Sequence, residues 1–159
     1  MKPRKSWREK LDNSKALPKV VVMPERMKPK WGQGTLVIPA PREVDELMRK
    51  VPRGRVTTIN HMRSVLAKKH SVTIACPMTT GIFAWIAAHA AEETAALKPK
   101  ARITPYWRTL KTDGLLNEKY PGGIDRQKER LEAEGHKVVR KGKHYRVVEI
   151  EKRLFDFGV

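Results

Sequence analysis

Residues 57–97 read TTINHMRSVLAKKHSVTIACPMTTGIFAWIAAHAAEETAAL, and this stretch decides the fold. Thr57 or Thr58 stands where a helix N-cap belongs, ahead of Ile59, Met62, Val65 and Leu66 at three- and four-residue spacing. That pattern predicts a helix to about Lys69. A short link through Cys76-Pro77 follows, and Thr79 or Thr80 is placed to cap an alanine-rich helix from about Gly81 to Ala96. Ile82, Phe83, Ile86, Ala87 and Ala90 would be its core stripe. Two helices across so short a link predict a helix-turn-helix, whose second helix is the one that enters a nucleic-acid groove.

Upstream, Pro39-Ala40-Pro41 opens a helix with Glu43, Asp45 and Glu46 at its positive end and Val44, Leu47, Met48 and Val51 on one face. Pro52 and Gly54 break it. Downstream, residues 101–123 are irregular, with turns at Asp113-Gly114 and Pro121-Gly122-Gly123. Ile124 to Glu134 predicts a fourth helix that stops at Gly135. Beyond it Val138, the run Arg140-Lys141-Gly142-Lys143, and Tyr145, Val147 and Ile150 form a hairpin pattern with a basic tip, a wing behind the helices. The expected class is mainly α with small β elements.

The chain of 159 residues carries 34 Lys and Arg against 17 Asp and Glu, a formal charge of +17. That excess points to a polyanion, with nucleic acid the leading partner. It is densest in residues 1–31, where ten basic residues meet three acidic ones and Lys2, Arg4, Lys5, Arg8 and Lys10 crowd together. Pro3, Pro18, Pro24 and Pro29 interrupt the same segment. It reads as an extended basic arm that either lies along phosphates or serves as a solubilising tail. Within it Val20-Val21-Val22-Met23 can dock as an edge strand, and Trp7 and Trp31 lack a local core, so parts of the arm should pack back. The organisation expected is an arm over 1–31, a domain over 32–137 and a C-terminal hairpin extension over 138–159.

A single cysteine, Cys76, excludes a disulfide framework and a multi-cysteine zinc site, and fits a reducing, cytoplasmic setting. No apolar run approaches the roughly 20 residues of a membrane span. The five histidines are scattered without metal-ligand spacing, and Gly32-Gln33-Gly34 lacks the Lys-Ser/Thr of a phosphate loop. No metal or cofactor is expected. The alanine-rich helix contains no Arg or Lys, so direct guanine reading is disfavoured against recognition of shape or lesions.

Four further pieces, in order over about residues 41–137, resemble the DNA-binding domain of methylated-DNA–protein-cysteine methyltransferases, the O6-alkylguanine-DNA alkyltransferases. Val51-Pro52-Arg53-Gly54-Arg55-Val56-Thr57-Thr58 resembles their IPxGxVxTY opening. Thr104-Pro105-Tyr106-Trp107-Arg108 resembles the IPCHR active-site motif. Asp113-Gly114 with Lys119-Tyr120-Pro121-Gly122-Gly123-Ile124 resembles the DG…GYSGGL stretch, and Lys128 with Leu131-Glu132-Ala133-Glu134-Gly135-His136 resembles the KxxLLxxEGH close. The resemblance implies a winged helix-turn-helix that enters the minor groove, a base flipped out of the stack, and a cysteine that takes the alkyl group.

The chain departs where the chemistry lies. Tyr106 stands at the acceptor cysteine and Trp107 at the histidine that activates it. A phenol has a reference pKa of about 10, so a tyrosine without that histidine is a poor acceptor. Glu134 matches the acid that orients the histidine, and without that partner it reads as a helix-end carboxylate. Arg108 keeps the position that ties down the active-site loop. Tyr120 matches the tyrosine lining the base pocket, or is a packed aromatic, and Gly122 and Gly123 shape the adjoining turn. The groove tyrosine becomes Ile59, and the RAVG pattern with its arginine finger becomes Met78-Thr79-Thr80-Gly81. Met78 is a wedge between bases or a core residue. Thr58, Arg55, Met78, Thr79, Thr80 and Gly81 are therefore the expected DNA contacts. Tyr106, Trp107, Arg108, Tyr120, Gly122 and Gly123 are the expected lesion pocket.

An alkyltransferase-like branch of the family also lacks the cysteine and, by resemblance, binds alkylated DNA without repairing it and hands it to nucleotide excision repair proteins. That branch usually carries Trp-His where this chain has Tyr-Trp. The expectation is a monomeric, non-catalytic DNA-repair protein that senses alkylated or distorted duplex DNA. The alternatives are alkyl transfer onto a relocated acceptor, Cys76, at the start of a helix, or a scaffold repurposed for protein or RNA.

Overall fold

The computed structural model describes residues 4–159; the Lys2 and Pro3 of the expected arm lie outside the described residues. The elements in order are α1 (Trp7–Asp12), β1 (Lys19–Val22), α2 (Lys28–Trp31), β2 (Thr35–Ile38), α3 (Pro41–Lys50), β3 (Thr57–Thr58) and α4 (Ile59–Lys69). Then come β4 (Ile74–Ala75), α5 (Pro77–Leu97), β5 (Thr109–Leu110), α6 (Gly123–Ala133), the hairpin β6 (Val138–Lys141) and β7 (His144–Val147), and α7 (Ile150–Arg153). Helices dominate and the sheets are small, as composition and periodicity predict.

Local chemistry accounts for most of these boundaries. Pro41 opens α3, and the Glu43 carboxylate reaches back to accept the Ala40 amide at 2.9 Å. Thr58 caps α4 by accepting the His61 amide at 3.1 Å. Gly122, in the left-handed region at φ 82°, is the N-cap of α6, where a Cβ would lie 2.6 Å from the Cβ of Arg126. α5 differs from expectation at its start. Cys76 is its N-cap and Pro77 its first residue, so the helix begins four residues before Gly81. Proline is preorganised for that position, and the Thr80 hydroxyl, rather than capping, donates back to the Cys76 carbonyl at 2.7 Å.

The main core lies between α3, α4 and α5. Val44, Leu47 and Met48 meet Met62, Val65 and Leu66 and the alanines 84, 87, 88 and 91. The inward stripe of α5 is therefore alanine, because α1, α3 and α4 all pack on this helix and small side chains let them approach. Ile82, expected in the core, is 43% exposed. A second cluster joins Val56, Leu110 and Leu116 to Leu131, Val138 and Val147, so the basic-tipped hairpin is anchored under its base.

Over residues 4–31 the expected extended arm is folded. Three apolar anchors explain this: Leu11 and Met23 are buried and Trp7 packs against the main core. β1 pairs antiparallel with β2, from Lys19 with Ile38 to Val22 with Thr35, so the valine run docks as an edge strand as read from its sequence. β4 pairs parallel with β2 on the other side. α1 is fixed to α5 by Glu93, whose carboxylate accepts the Trp7 and Arg8 amides at 3.1 Å each. Trp31 lies 4.8 Å from the Arg63 guanidinium.

Candidate nucleic-acid interface

β3 and β5 run parallel, pairing Thr57 with Thr109 and Thr58 with Leu110. This places the turn at Tyr106–Arg108 beside the N-terminus of α4, the first helix of the helix-turn-helix. Several polar bonds hold that turn. Thr104 donates to the fully buried Asp45 of α3 at 2.6 Å. Arg108 donates to the Val51 carbonyl at 2.8 Å and, through two nitrogens, to the Glu134 carboxylate at 2.8 and 2.7 Å. The buried Gln127 donates to the Trp107 carbonyl at 3.1 Å and accepts the Asn117 amide at 2.7 Å.

Tyr106 is 1% exposed, and its hydroxyl donates to Glu92 of α5 at 2.6 Å. Arg130 of α6 donates to the same carboxylate oxygen at 2.8 Å and lies 4.2 Å over the Trp107 ring. Burial, followed by the Glu92 acceptor, pushes the Tyr106 phenol well above its ordinary range. The Trp107 indole donates to Glu134 at 3.2 Å. Glu134 therefore has partners, and the reading of it as a bare helix-end carboxylate is corrected. Burial opposes its ionisation, but the Arg108 and Trp107 hydrogen bonds prevail and hold the carboxyl below the usual carboxylate range.

Tyr120 completes the group. It is 2% exposed, with its ring 5.4 Å from that of Tyr106 at 78°, and its hydroxyl has no hydrogen-bond partner among the described residues. Burial raises its phenol pKa as well. The Tyr106 ring meets those of Trp107 and Tyr120 edge to face, at 5.3 and 5.4 Å between centroids. Neither Tyr106 nor Trp107 is set up as an activated nucleophile or a general base. An indole N–H has no lone pair with which to take a proton, and the phenol already donates to a carboxylate. Cys76 is partly exposed at the α5 N-cap, and it does not line the cavity described next.

An open cavity of about 490 Å³ lies elsewhere, against the N-terminal half of α5. On the helix side Met78, Gly81, Ile82 and Trp85 line it, together with Ile59 at the start of α4. Lys111, Asn117, Glu118 and Lys119 line the facing loop. Met78 is 71% exposed, so of its two readings the core one is excluded. The structure thus brings Met78, Gly81 and Ile59 together at the cavity. Tyr106, Trp107, Arg108, Tyr120, Gly122 and Gly123 do not line it.

The other expected DNA contacts are dispersed. Thr58 is engaged as the α4 cap, and Arg55 donates to the Lys152 carbonyl at 2.9 Å. Thr80 is fully buried and the Thr79 hydroxyl is buried without a partner among the described residues, because α5 begins early enough to turn both toward the protein. Sequence reasoning missed Glu92, Gln127, Trp85 and the loop at 117–119. A carboxylate inside an alanine-rich helix was the available signal for Glu92. Among the described residues no group of three His, Cys, Asp or Glu side chains is placed to hold a metal ion. No helix among them is long and apolar enough to cross a membrane.

No protein-family model and no curated protein sequence matches the chain. Solved structures do. A crystal structure of S. pombe Atl1 in complex with damaged DNA containing O6-carboxymethylguanine matches with a TM-score of 0.51 at 19% identity. It covers 73% of this chain and 94% of the other. A second structure, of S. pombe ATL in complex with DNA, matches with a TM-score of 0.52 at 18% identity and the same coverage. At these identities the likeness establishes the fold: the chain has the alkyltransferase-like architecture, the one its four motifs resemble.

Proposed function

We propose that this protein binds duplex DNA and senses alkylated or distorted sites without repairing them. One observation carries the reading: the acceptor position is closed while the face beside it is open. Tyr106 is buried and hydrogen-bonded to Glu92, whereas the second helix of the helix-turn-helix presents Met78 and Ile82 beside an unfilled cavity. The two structural neighbours are bound to DNA, one of them to DNA carrying an O6-alkylated guanine, which supports a DNA partner. A charge of +17 supplies sequence-independent grip on phosphates. A sensor that leaves the lesion in place must pass it on, so nucleotide excision repair proteins are the partners we assign to it, with the protein acting as a monomer.

The test is duplex affinity across a salt series, with and without a single O6-alkylguanine, joined to intact mass after incubation. The expected result is a steep salt dependence, tighter binding to the alkylated duplex and no added mass. Equal affinity for the two duplexes removes lesion sensing. An alkyl adduct on Cys76 or Tyr106 makes the protein an enzyme instead.

A further inference from the structure

Two cations without acidic partners meet on the outward face of α4, where the segment before residue 41 folds against it. The Arg63 guanidinium is held by two bonds: Nε donates to the Ala75 carbonyl at 3.1 Å, and Nη1 donates to the Asn60 side-chain oxygen at 3.3 Å. Its other terminal nitrogen has no hydrogen-bond partner among the described residues. The Trp31 ring lies 4.8 Å from this guanidinium and 5.1 Å from the Lys30 ammonium, so one indole holds two cations. Among the described residues neither Arg63 nor Lys30 forms an ion pair, whereas the nearby Lys28 is paired with Glu25 at 2.6 Å. Neither stretch that builds this face, 26–42 or 47–91, contains an Asp or Glu. Like charges gathered on one ring repel each other, and an anion between them relieves that repulsion.

The groups around the cations are donors as well. An open cavity of about 270 Å³ lies there, its polar part lined by Asn60, Arg63, Ser64 and Thr73, with the Trp31 ring at its side. Asn60 spends its oxygen on Arg63, and the Thr73 oxygen accepts the Thr35 amide at 3.2 Å. The Asn60 amide nitrogen and the Thr73 O–H therefore remain to donate. A ligand here meets N–H and O–H groups and no carboxylate, so it must bring acceptors and negative charge, which is the chemistry of a phosphate. The volume falls just under the roughly 300 Å³ at which small-molecule sites begin, so the site suits one anionic group on a longer molecule.

The place of the cavity in the fold identifies that molecule. Arg63 is bonded to Ala75, two residues ahead of Pro77 at the start of α5, and Asn60 directly follows Ile59, which lines the cavity against α5. In a helix-turn-helix the first helix crosses the duplex backbone while the second enters the groove, and bonds to phosphates fix the register. The motifs that resemble the alkyltransferases begin at about residue 41, so Lys30 and Trp31 come from outside them. We propose that Lys30, Trp31 and Arg63 form a phosphate clamp, by which the segment 28–31 grips the DNA strand beside the groove helix. This proposal rests on the reading of the protein as a binder of duplex DNA and adds a sequence-independent contact to it.

The experiment measures affinity for a plain duplex across a salt series on the full-length wild type, on Lys30→Gln and on the double variant Lys30→Gln, Arg63→Gln. It is repeated on duplexes in which one phosphate at a time is a neutral methylphosphonate. The plot of log affinity against log salt should lose about one unit of slope in Lys30→Gln and about two in the double variant. At one or two adjacent backbone positions the methylphosphonate should weaken the wild type severalfold and the variants progressively less. Arg63 also holds the Ala75 carbonyl, so Lys30→Gln, at an exposed position, carries both measurements alone if the double variant fails to fold. An unchanged slope in Lys30→Gln, whatever its affinity, marks a structural role and overturns the clamp. Equal methylphosphonate sensitivity of wild type and variants at every position does the same, and both results leave duplex binding standing. A wild type that does not bind the duplex overturns the proposed function itself.

Discussion

Two sets of aromatic rings in this protein are built in opposite ways. Tyr106, Trp107 and Tyr120 stand where the resemblance puts the reacting centre, and they are closed: two rings are buried, and Glu92, Arg130, Arg108 and Glu134 beside them are paired with one another. Trp85 stands on a helix that the motifs single out only for its first turn, and it faces an open cavity. The motif positions thus divide: Ile59, Met78 and Gly81 line the open cavity, while the acceptor position is closed. The turn at Tyr106–Arg108, at the position that resembles the acceptor, is a structural joint between α3, α5 and α6. What remains free to meet a partner is the neighbouring helix face.

The sharpest way to break this contrast is to remove the joint. Arg108 and Glu134 are both largely buried, so Arg108→Ala strands a carboxylate and the Val51 carbonyl. Denaturant unfolding should show a loss of about 3–5 kcal/mol. A near-neutral result would mean that the turn is not structural. Tyr106→Phe is milder. It deletes one buried hydrogen bond while Arg130 continues to serve Glu92, and the same measurement should register about 1–2 kcal/mol. A gain in affinity for alkylated duplex in that variant would reopen the closed site as a pocket.

Acid separates the ionic part of the Arg108 effect from the rest. The folded-state pKa of Glu134 is depressed, so its stabilisation is fully present above its unfolded value of about 4.5 and is lost as pH falls through the lower folded value. The gap between wild type and Arg108→Ala should therefore shrink in acid. His136 adds a second slope in the same direction. It is buried, both ring nitrogens lack partners among the described residues, and burial lowers its pKa. Below about pH 6.5 the unfolded chain takes up a proton that the folded chain resists, so stability falls with pH, and His136→Leu should flatten that limb. The smallest stability effect belongs to the open side. Met78→Ser with Ile82→Ser changes exposed positions, so unfolding should move within about 0.5 kcal/mol while duplex affinity drops. Loss of stability there would make the ridge part of the core.

Much of the framework is legible along the chain. The capping threonine before Ile59, Pro41 with Glu43, and Gly135 mark helix boundaries through bonds made within a few residues. The hairpin follows from alternation around Gly142. The candidate site is legible only as motif positions. The motifs set Trp107 and Glu134 at partnered positions, but nothing in either neighbourhood says that an indole N–H would still donate to that carboxylate. Tyr106 and Glu92 meet only because α5 runs on past the groove face to Leu97. The outward turn of Ile82 was misread because hydrophobicity alone ranks isoleucine above alanine. Close helix packing reverses that order.

The sequence by itself determined the helical framework, the basic charge, the resemblance of its motifs and the tyrosine at the position that resembles the acceptor, since these depend on residue identity and on contacts a few positions apart. Only the tertiary structure decided which rings are sealed and which are open, that residues 4–31 fold onto α5 and β2, and that the acceptor position has become a joint. Those outcomes depend on which surfaces meet across long stretches of chain. Burial and hydrogen-bond pairing are settled there by the whole set of packed neighbours, and no local pattern records it.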